Sequence, residues 1–307
     1  MKQITTLLIG LMLCSSLTAQ NSLDIFTISG RYGTPQTYDS VLSGKATETG
    51  IFGGLTVPVV FNKRTIWYNS LNYFYFHVDN EPEMPAIWAN PINLHGFILR
   101  TGLYQKFDKG RAMQLLFAPR LMSDLVNVDG NSFQFGGLFM YEKKYSEALS
   151  MSFGLMYNQE LFGPYFVPLI NLNWQPSEKF RIAGLLPIYA KISYIVNENF
   201  NFGISHFGLI TTYALTDPEY KGDYIERKSI DLSLYGRYRI AGNFHLEGRF
   251  GRSLGRSYAQ YEEDQKVSWA IPLVTFGDDR VQKNIDFKDG FILDIRLVYN
   301  IPIPEDE

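Results

Sequence analysis

The sequence predicts an all-β chain: a single antiparallel, up-and-down transmembrane β-barrel of about 14 strands, with 12 as the alternative count. Three observations carry this expectation. Apolar and polar residues alternate with period 2 from Leu23 to the C-terminus, the spacing of a strand with one face in an apolar medium. Short turns alternate with longer polar connections, the pattern of barrels with short periplasmic turns and long outer loops. Aromatic residues stand beside the short turns: Phe61 and Trp67, Phe107, Tyr141, Trp174 and Phe180, Tyr194 and Phe200, Tyr238 and Phe244, and Tyr299. That placement makes a girdle at one height, where amphipathic rings meet a membrane interface.

Composition agrees. Aromatics are 15% of the 307 residues and charged residues 19%, while mean hydropathy is −0.10. A helical membrane protein is far more apolar, and a disordered chain lacks the aromatics. The opening residues read as a secretory signal peptide over 1–19. Lys2 gives a positive start, Leu7 to Leu13 an apolar run, and Ala19 a small residue before the expected cut. Cys14 is the only cysteine, so cleavage leaves a chain without thiol or disulfide over 20–307. Acylation of Cys14 as a lipoprotein is the rival reading, but Leu13 stands where a small residue is needed. No strongly basic stretch points to nucleic acid. No later apolar run is long enough for a membrane helix, so any crossing is made by strands.

The strands expected in order are 23–32, 49–61, 65–77, 92–107, 111–122, 133–142, 148–157, 165–174, 179–186, 188–196, 199–214, 229–240, 243–251 and 290–301. The clearest runs from Ser229 to Ile240. Ile230, Leu232, Leu234, Tyr238 and Ile240 share one face, and Asp231, Ser233, Arg237 and Arg239 the other. Short turns fall at 62–64, 108–110, 143–147, 175–178, 197–199 and 241–243. Longer connections fall at 33–48, 78–90, 123–132, 158–164, 216–228 and 252–289. A tight outer turn at Leu186-Pro187 keeps the count even; one strand over 179–196 makes it odd. Pro58 and Pro168 lie inside expected strands, where each removes a ladder donor.

The block Leu185-Leu186-Pro187-Ile188-Tyr189-Ala190-Lys191-Ile192-Ser193-Tyr194, followed by Phe200-Asn201-Phe202-Gly203, resembles a family of uncharacterised Gram-negative outer-membrane β-barrels catalogued as a domain of unknown function. The resemblance runs diffusely over the mature chain and implies the fold and the cell outer membrane. Membrane lipid and the barrel-assembly machinery are then expected partners. It assigns no functional residues. One departure is that Tyr299 is followed by Ile301-Pro302-Ile303-Pro304, so a terminal aromatic assembly signal is internal.

No catalytic, cofactor or metal site is expected. Ser205 and His206 are consecutive in a strand and point to opposite faces, so they cannot pair directly. His77 and Asp79 lie near a rim but make a weak pair. With Cys14 removed and no two histidines close, metal binding has no ligand set. Glu262-Glu263-Asp264 and Asp278-Asp279 read as solvated loop charge.

The lumen is more informative. With apolar residues outward, Arg31, Arg100, Arg120, Arg181, Lys191, Arg237, Arg239, Arg249 and Arg296 point inward against Glu142, Asp231, Glu247 and Asp294. One reading is a basic conduit for small anionic solutes, since fixed charge in a narrow passage focuses the field. The other is a plug in which Glu262, Glu263 and Asp264 fold in and pair with the arginines; buried arginines need carboxylates, which favours it. The chain is therefore expected to be a passive or gated channel. The alternatives are a closed structural or adhesive barrel whose loops bind a partner, or, behind both, a lipid-facing enzyme.

Overall fold

A computed structural model describes residues 22–302 apart from 40, 41 and 221. The expected signal peptide, Cys14 and the Ile303-Pro304 end lie outside these residues. Fourteen strands make the wall: β1 Ser22–Gly33, β2 Lys45–Thr56 continued by Val59–Val60, β3 Thr65–Asn80, β4 Ile92–Phe107, β5 Arg111–Phe117 with Arg120–Ser123, β6 Phe133–Gln134 with Gly136–Ser146, and β7 Leu149–Glu160. Then follow β8 Gly163–Ser177, β9 Phe180–Leu186, β10 Tyr189–Asn197, β11 Phe200–Ala214, β12 Tyr224–Ala241, β13 Phe244–Tyr261 and β14 Phe291–Pro302. Each pairs antiparallel with the next, and β14 closes on β1, with Leu297 opposite Ile28 and Asp294 opposite Arg31. Closure leaves the sheet without an edge.

Alternation sets the two faces. Ile51, Leu55, Leu115, Phe117, Phe153, Leu155, Leu232, Leu234, Leu293 and Ile295 are exposed on the outside. An unbroken apolar belt around a closed barrel is a lipid contact, so the protein spans the outer membrane by its strands. The aromatic girdle takes shape beside the periplasmic turns. Phe61 stacks on Trp67 at 6.1 Å, Phe180 meets Tyr194 edge-on at 5.2 Å, and Phe244 lies 4.8 Å from Tyr299. The turns themselves are built by local polar groups. The Asn62 side chain accepts from the backbone of Arg64 and Thr65, and Asn197 does the same for Asn199 and Phe200.

The expected tight turn at Leu186-Pro187 is present, with the Ile188 amide donating to Leu185 O at 2.8 Å. Pro168 sits above Ile170, the uppermost β8 residue paired with β9, so it falls where β8 has no β9 partner. Pro58 likewise lies past Leu55, where pairing with β1 ends.

Several strands reach further outward than the alternation suggested. β2 starts at Lys45 rather than 49, β12 at Tyr224 rather than 229, and β13 runs to Tyr261 rather than 251. The connection expected over 158–164 is a two-residue link, Leu161-Phe162, so short and long connections do not strictly alternate. The physical reason is shared: Glu48, Glu160, Glu226, Arg227 and Gln260 are polar yet buried inside the outer half, and buried polar pairs look like loop in a one-dimensional pattern.

The outer half is pinched shut. Ala214 of β11 bridges Ser123 of β5, and Gln134 of β6 donates to Thr212 O at 3.0 Å. A Cβ at Gly96 of β4 would meet the tip of Met122 and touch the Tyr213 ring of β11, so the two walls come close there. Two apolar clusters fill the space, one including Phe74, Phe76, Leu94, Met122, Tyr213, Ile225 and Tyr258 with Tyr38 and Phe287 from loops. The other includes Met140, Phe162, Tyr165, Val167, Leu169, Tyr224 and Tyr261. A hairpin of the β13–β14 loop, Trp269–Ile271 with Val274–Phe276, runs beside the upper part of β8 through Tyr165 and Ala270, above the level where β9 ends.

Candidate functional site

The inner wall carries an ionic lattice with two centres. The lower centre is Glu247 of β13, whose side chain is fully buried. Lys191 of β10 lies 2.7 Å from it, Arg249 2.7 Å, Arg296 of β14 3.1 Å and Arg237 of β12 3.8 Å. Register builds part of this, since Glu247 is directly opposite Arg237 on one side and Arg296 on the other. Lys191 instead reaches past two strands, over the Tyr235 ring at 4.7 Å. Arg237 gains a second carboxylate in Asp24, at 2.8 Å.

The upper centre is Glu48 of β2, also fully buried. It accepts from the Arg31 Nε, and Arg256 and Arg227 approach to 3.7 and 3.8 Å. Arg31 also donates to Asp231 of β12 at 2.5 Å. The Arg227 guanidinium stacks on the Phe76 ring at 3.7 Å. Asp294 lies opposite both Arg31 and Arg249.

Of the expected lumen residues, Arg237, Glu247, Arg249 and Arg296 therefore meet, and Asp231 and Asp294 stand by Arg31. Arg120 pairs on another part of the wall with Glu160 of β7 at 3.0 Å. Arg100 is next to it in β4. Arg181 bonds Asn173, and Arg239 donates to the Glu198 carbonyl near the periplasmic rim; neither joins a centre. Asp24, Glu48 and Glu160 also face inward, and so do Arg227 and Arg256, none of which the alternation had placed there. Continuing the alternation Phe52, Gly50, Glu48, Ala46 outward from the belt would have found Glu48.

The acidic loop segment does not neutralise the arginines. The Glu262 side chain is 57% exposed and only approaches Lys283, at 3.9 Å, while Glu263 accepts from Asn131. The carboxylates that do so stand on strands, where pairing has already fixed the backbone and only side-chain rotamer entropy is left to lose.

The mouth is held by a different set of contacts. Gln260 of β13, fully buried, accepts from the Ala89 amide and donates to Ile87 O, both at 2.8 Å, and donates to Asp223 at 2.7 Å. This fastens the β3–β4 loop across the mouth. In the β13–β14 loop, Arg280 is 2.7 Å from Glu226 and 2.9 Å from Asp278, beneath the Tyr261 ring. The Arg280 hydrogen bonds hold the Asp278 carboxyl below the usual range. Outside the cap lies a cavity of about 800 Å³ rimmed by Glu219, Asp223, Glu262, Glu263, Asp264, Lys266 and Lys283.

Among the described residues, none of the four histidines bonds a serine or a carboxylate. His77 bonds Asn93, His95 bonds Tyr73, His206 bonds Pro187 O and His245 bonds Asn243 O. Ser205 bonds Ser233 O inside while His206 lies outside, as alternation requires. Among the described residues no cluster of three metal-ligating side chains occurs.

Three solved structures to which the chain is similar are described as channels or porins. An outer membrane channel from Pseudomonas putida F1 is 13% identical, with 94% of this chain and 100% of that one covered and a TM-score of 0.46. The NanC porin is 11% identical over 89% and 98%, with a TM-score of 0.36. A mutant of the TodX monoaromatic hydrocarbon channel is 9% identical over 94% and 91%, with a TM-score of 0.41. No curated protein matches the sequence. The family model described as a domain of unknown function (DUF6268) matches residues 16–270, and the chain belongs to that family.

Proposed function

We propose that the protein is a gated outer-membrane channel for small anionic solutes, at rest with its outer mouth closed. The observation that carries this is the contrast between the two halves of the lumen. The periplasmic half is lined by Arg100, Arg181, Lys191, Arg237, Arg249 and Arg296 and holds fewer carboxylates. The outer half is shut by apolar packing and by loop contacts centred on Gln260, which are non-covalent and reversible. A fixed positive field in a confined passage concentrates anions.

Planar-bilayer conductance of the refolded barrel tests this. The wild type is expected to open rarely, Gln260→Ala to open more often, and the reversal potential in a salt gradient to favour anions. A folded barrel that never conducts, in either form, overturns the reading. The cavity of about 800 Å³ on the outer face favours a second reading, a closed barrel whose acidic rim binds a cationic partner. That reading gains if both forms stay silent.

A further inference from the structure

The geometry points to an oxyanion-binding site on the lumen wall at Arg100 and Arg120, taking a small carboxylate or phosphate. This deepens the channel reading and rests on it for its physiological meaning.

Arg100 is set apart by what surrounds it. The other lumen-facing arginines each have an ion pair or a hydrogen bond to an oxygen acceptor. No hydrogen bond or ion pair to Arg100 occurs among the described residues. Tyr68, Arg120 and Tyr189 lie close enough to act on its charge, two phenols and a second cation. Register explains the grouping. Ser70 of β3 is directly opposite Arg100, so Tyr68 is the diagonal neighbour on the same face. Arg120 is opposite Ile98, two residues along the same face of β4.

Arg120 adds an independent observation. It is 6% exposed, its Nη1 is 3.0 Å from Glu160, and yet its Nε and Nη2 are buried without a partner. Of the two guanidiniums only Arg120 meets a carboxylate, so the Arg100 charge faces the lumen uncompensated. Guanidinium donors in a fixed fork match the paired oxygens of a carboxylate or phosphate, and phenol hydroxyls add donors. Space is available on the lumen side: Tyr189, on the inward face of β10, is 48% exposed.

The test is calorimetric titration of the detergent-solubilised full barrel with sodium acetate and, separately, inorganic phosphate at low ionic strength. Saturable binding of at least one is expected, weakening as salt rises. Arg100→Gln should reduce the affinity at least tenfold, while Arg239→Gln, at the periplasmic rim, should leave it within twofold. Both variants must keep the wild-type heat-modifiable mobility of a folded barrel. If Arg100→Gln misfolds, Arg100→Lys, which keeps the charge but loses the fork, is expected to weaken binding severalfold. Absence of saturable binding, or equal loss in Arg100→Gln and Arg239→Gln, overturns the site. Because titration needs no ion flow, a silent bilayer and an empty site are separate results.

Discussion

The Lys191 ammonium of β10 lies 2.7 Å from the Glu247 carboxylate of β13, although β11 and β12 stand between their strands. The pair therefore ties together wall segments that no ladder hydrogen bond connects. Glu247 also meets Arg237, Arg249 and Arg296, so four cations converge on one buried carboxylate.

Replacing that carboxylate should cost more than removing any one cation. Glu247→Gln leaves the cations facing one another in a confined lumen. Breaking a buried pair in this way costs about 3–5 kcal/mol. Arg296→Gln leaves three cations around Glu247 and should cost about 1 kcal/mol. Urea unfolding in lipid vesicles, followed by tryptophan emission, measures both; equal costs would mean that Glu247 is not the centre of the lattice.

That lattice also marks the limit of what the sequence reveals. The strands with one lipid face and one polar face, such as β12 below Ser229, are legible because a period-2 pattern has one physical cause. Above the membrane both faces of β12 and β13 are covered, so Tyr224, Ile225, Glu226 and Arg227 are all buried and no alternation survives. Arg237, Glu247, Arg249 and Arg296 were legible as inward residues by parity alone. Their grouping was not, because Lys191 reaches Glu247 across the curvature of the wall rather than along a ladder. Gln260 gives no signal at all: its role depends on the β3–β4 loop, which springs from strands that do not neighbour β13.

The Asp278–Arg280 contact predicts a pH response in the cap. The Asp278 carboxyl is held below its ordinary value by Arg280, outside the membrane. Its contribution is present above the unfolded-state value of about 3.9 and is lost as pH falls through the lower folded value. Amide exchange of residues 278–290, corrected for its intrinsic pH dependence, should stay slow from neutral pH to about 4 and speed up below that. Asp278→Asn should give the faster rate at neutral pH. A variant with wild-type exchange would show that the contact does not hold the loop.

Gly255 turns β13 from the belt into the cap. Its φ is +56°, a conformation that favours glycine. It lies within the register shift between the pairs Ile230–Leu254 and Lys228–Ser257. Asp289 accepts from the Gly255 and Arg256 amides at 3.0 and 2.9 Å. Gly255→Val should strain the bend by about 1–3 kcal/mol and expose the β13–β14 loop to protease, while Gly255→Asn, which tolerates this φ, should be milder. Equal cleavage of the two variants would place the constraint elsewhere.

Glu48 and Arg256 offer the most discriminating test of the upper centre. Both side chains are fully buried, 3.7 Å apart, and Arg256 also donates to Lys288 O at 2.8 Å, joining the wall to the loop. Glu48→Gln leaves Arg227 and Arg256 without their carboxylate and should destabilise the barrel by about 3 kcal/mol or more. Arg256→Met in the wild-type background removes a partner that Glu48 can partly replace with Arg31. In the Glu48→Gln background the same change removes an uncompensated charge, and it should cost less or even restore stability. A double-mutant cycle read by urea unfolding should therefore give a coupling of about 1–3 kcal/mol. A coupling near zero would mean that Arg31 alone balances Glu48, and that Arg256 serves only the carbonyl of Lys288.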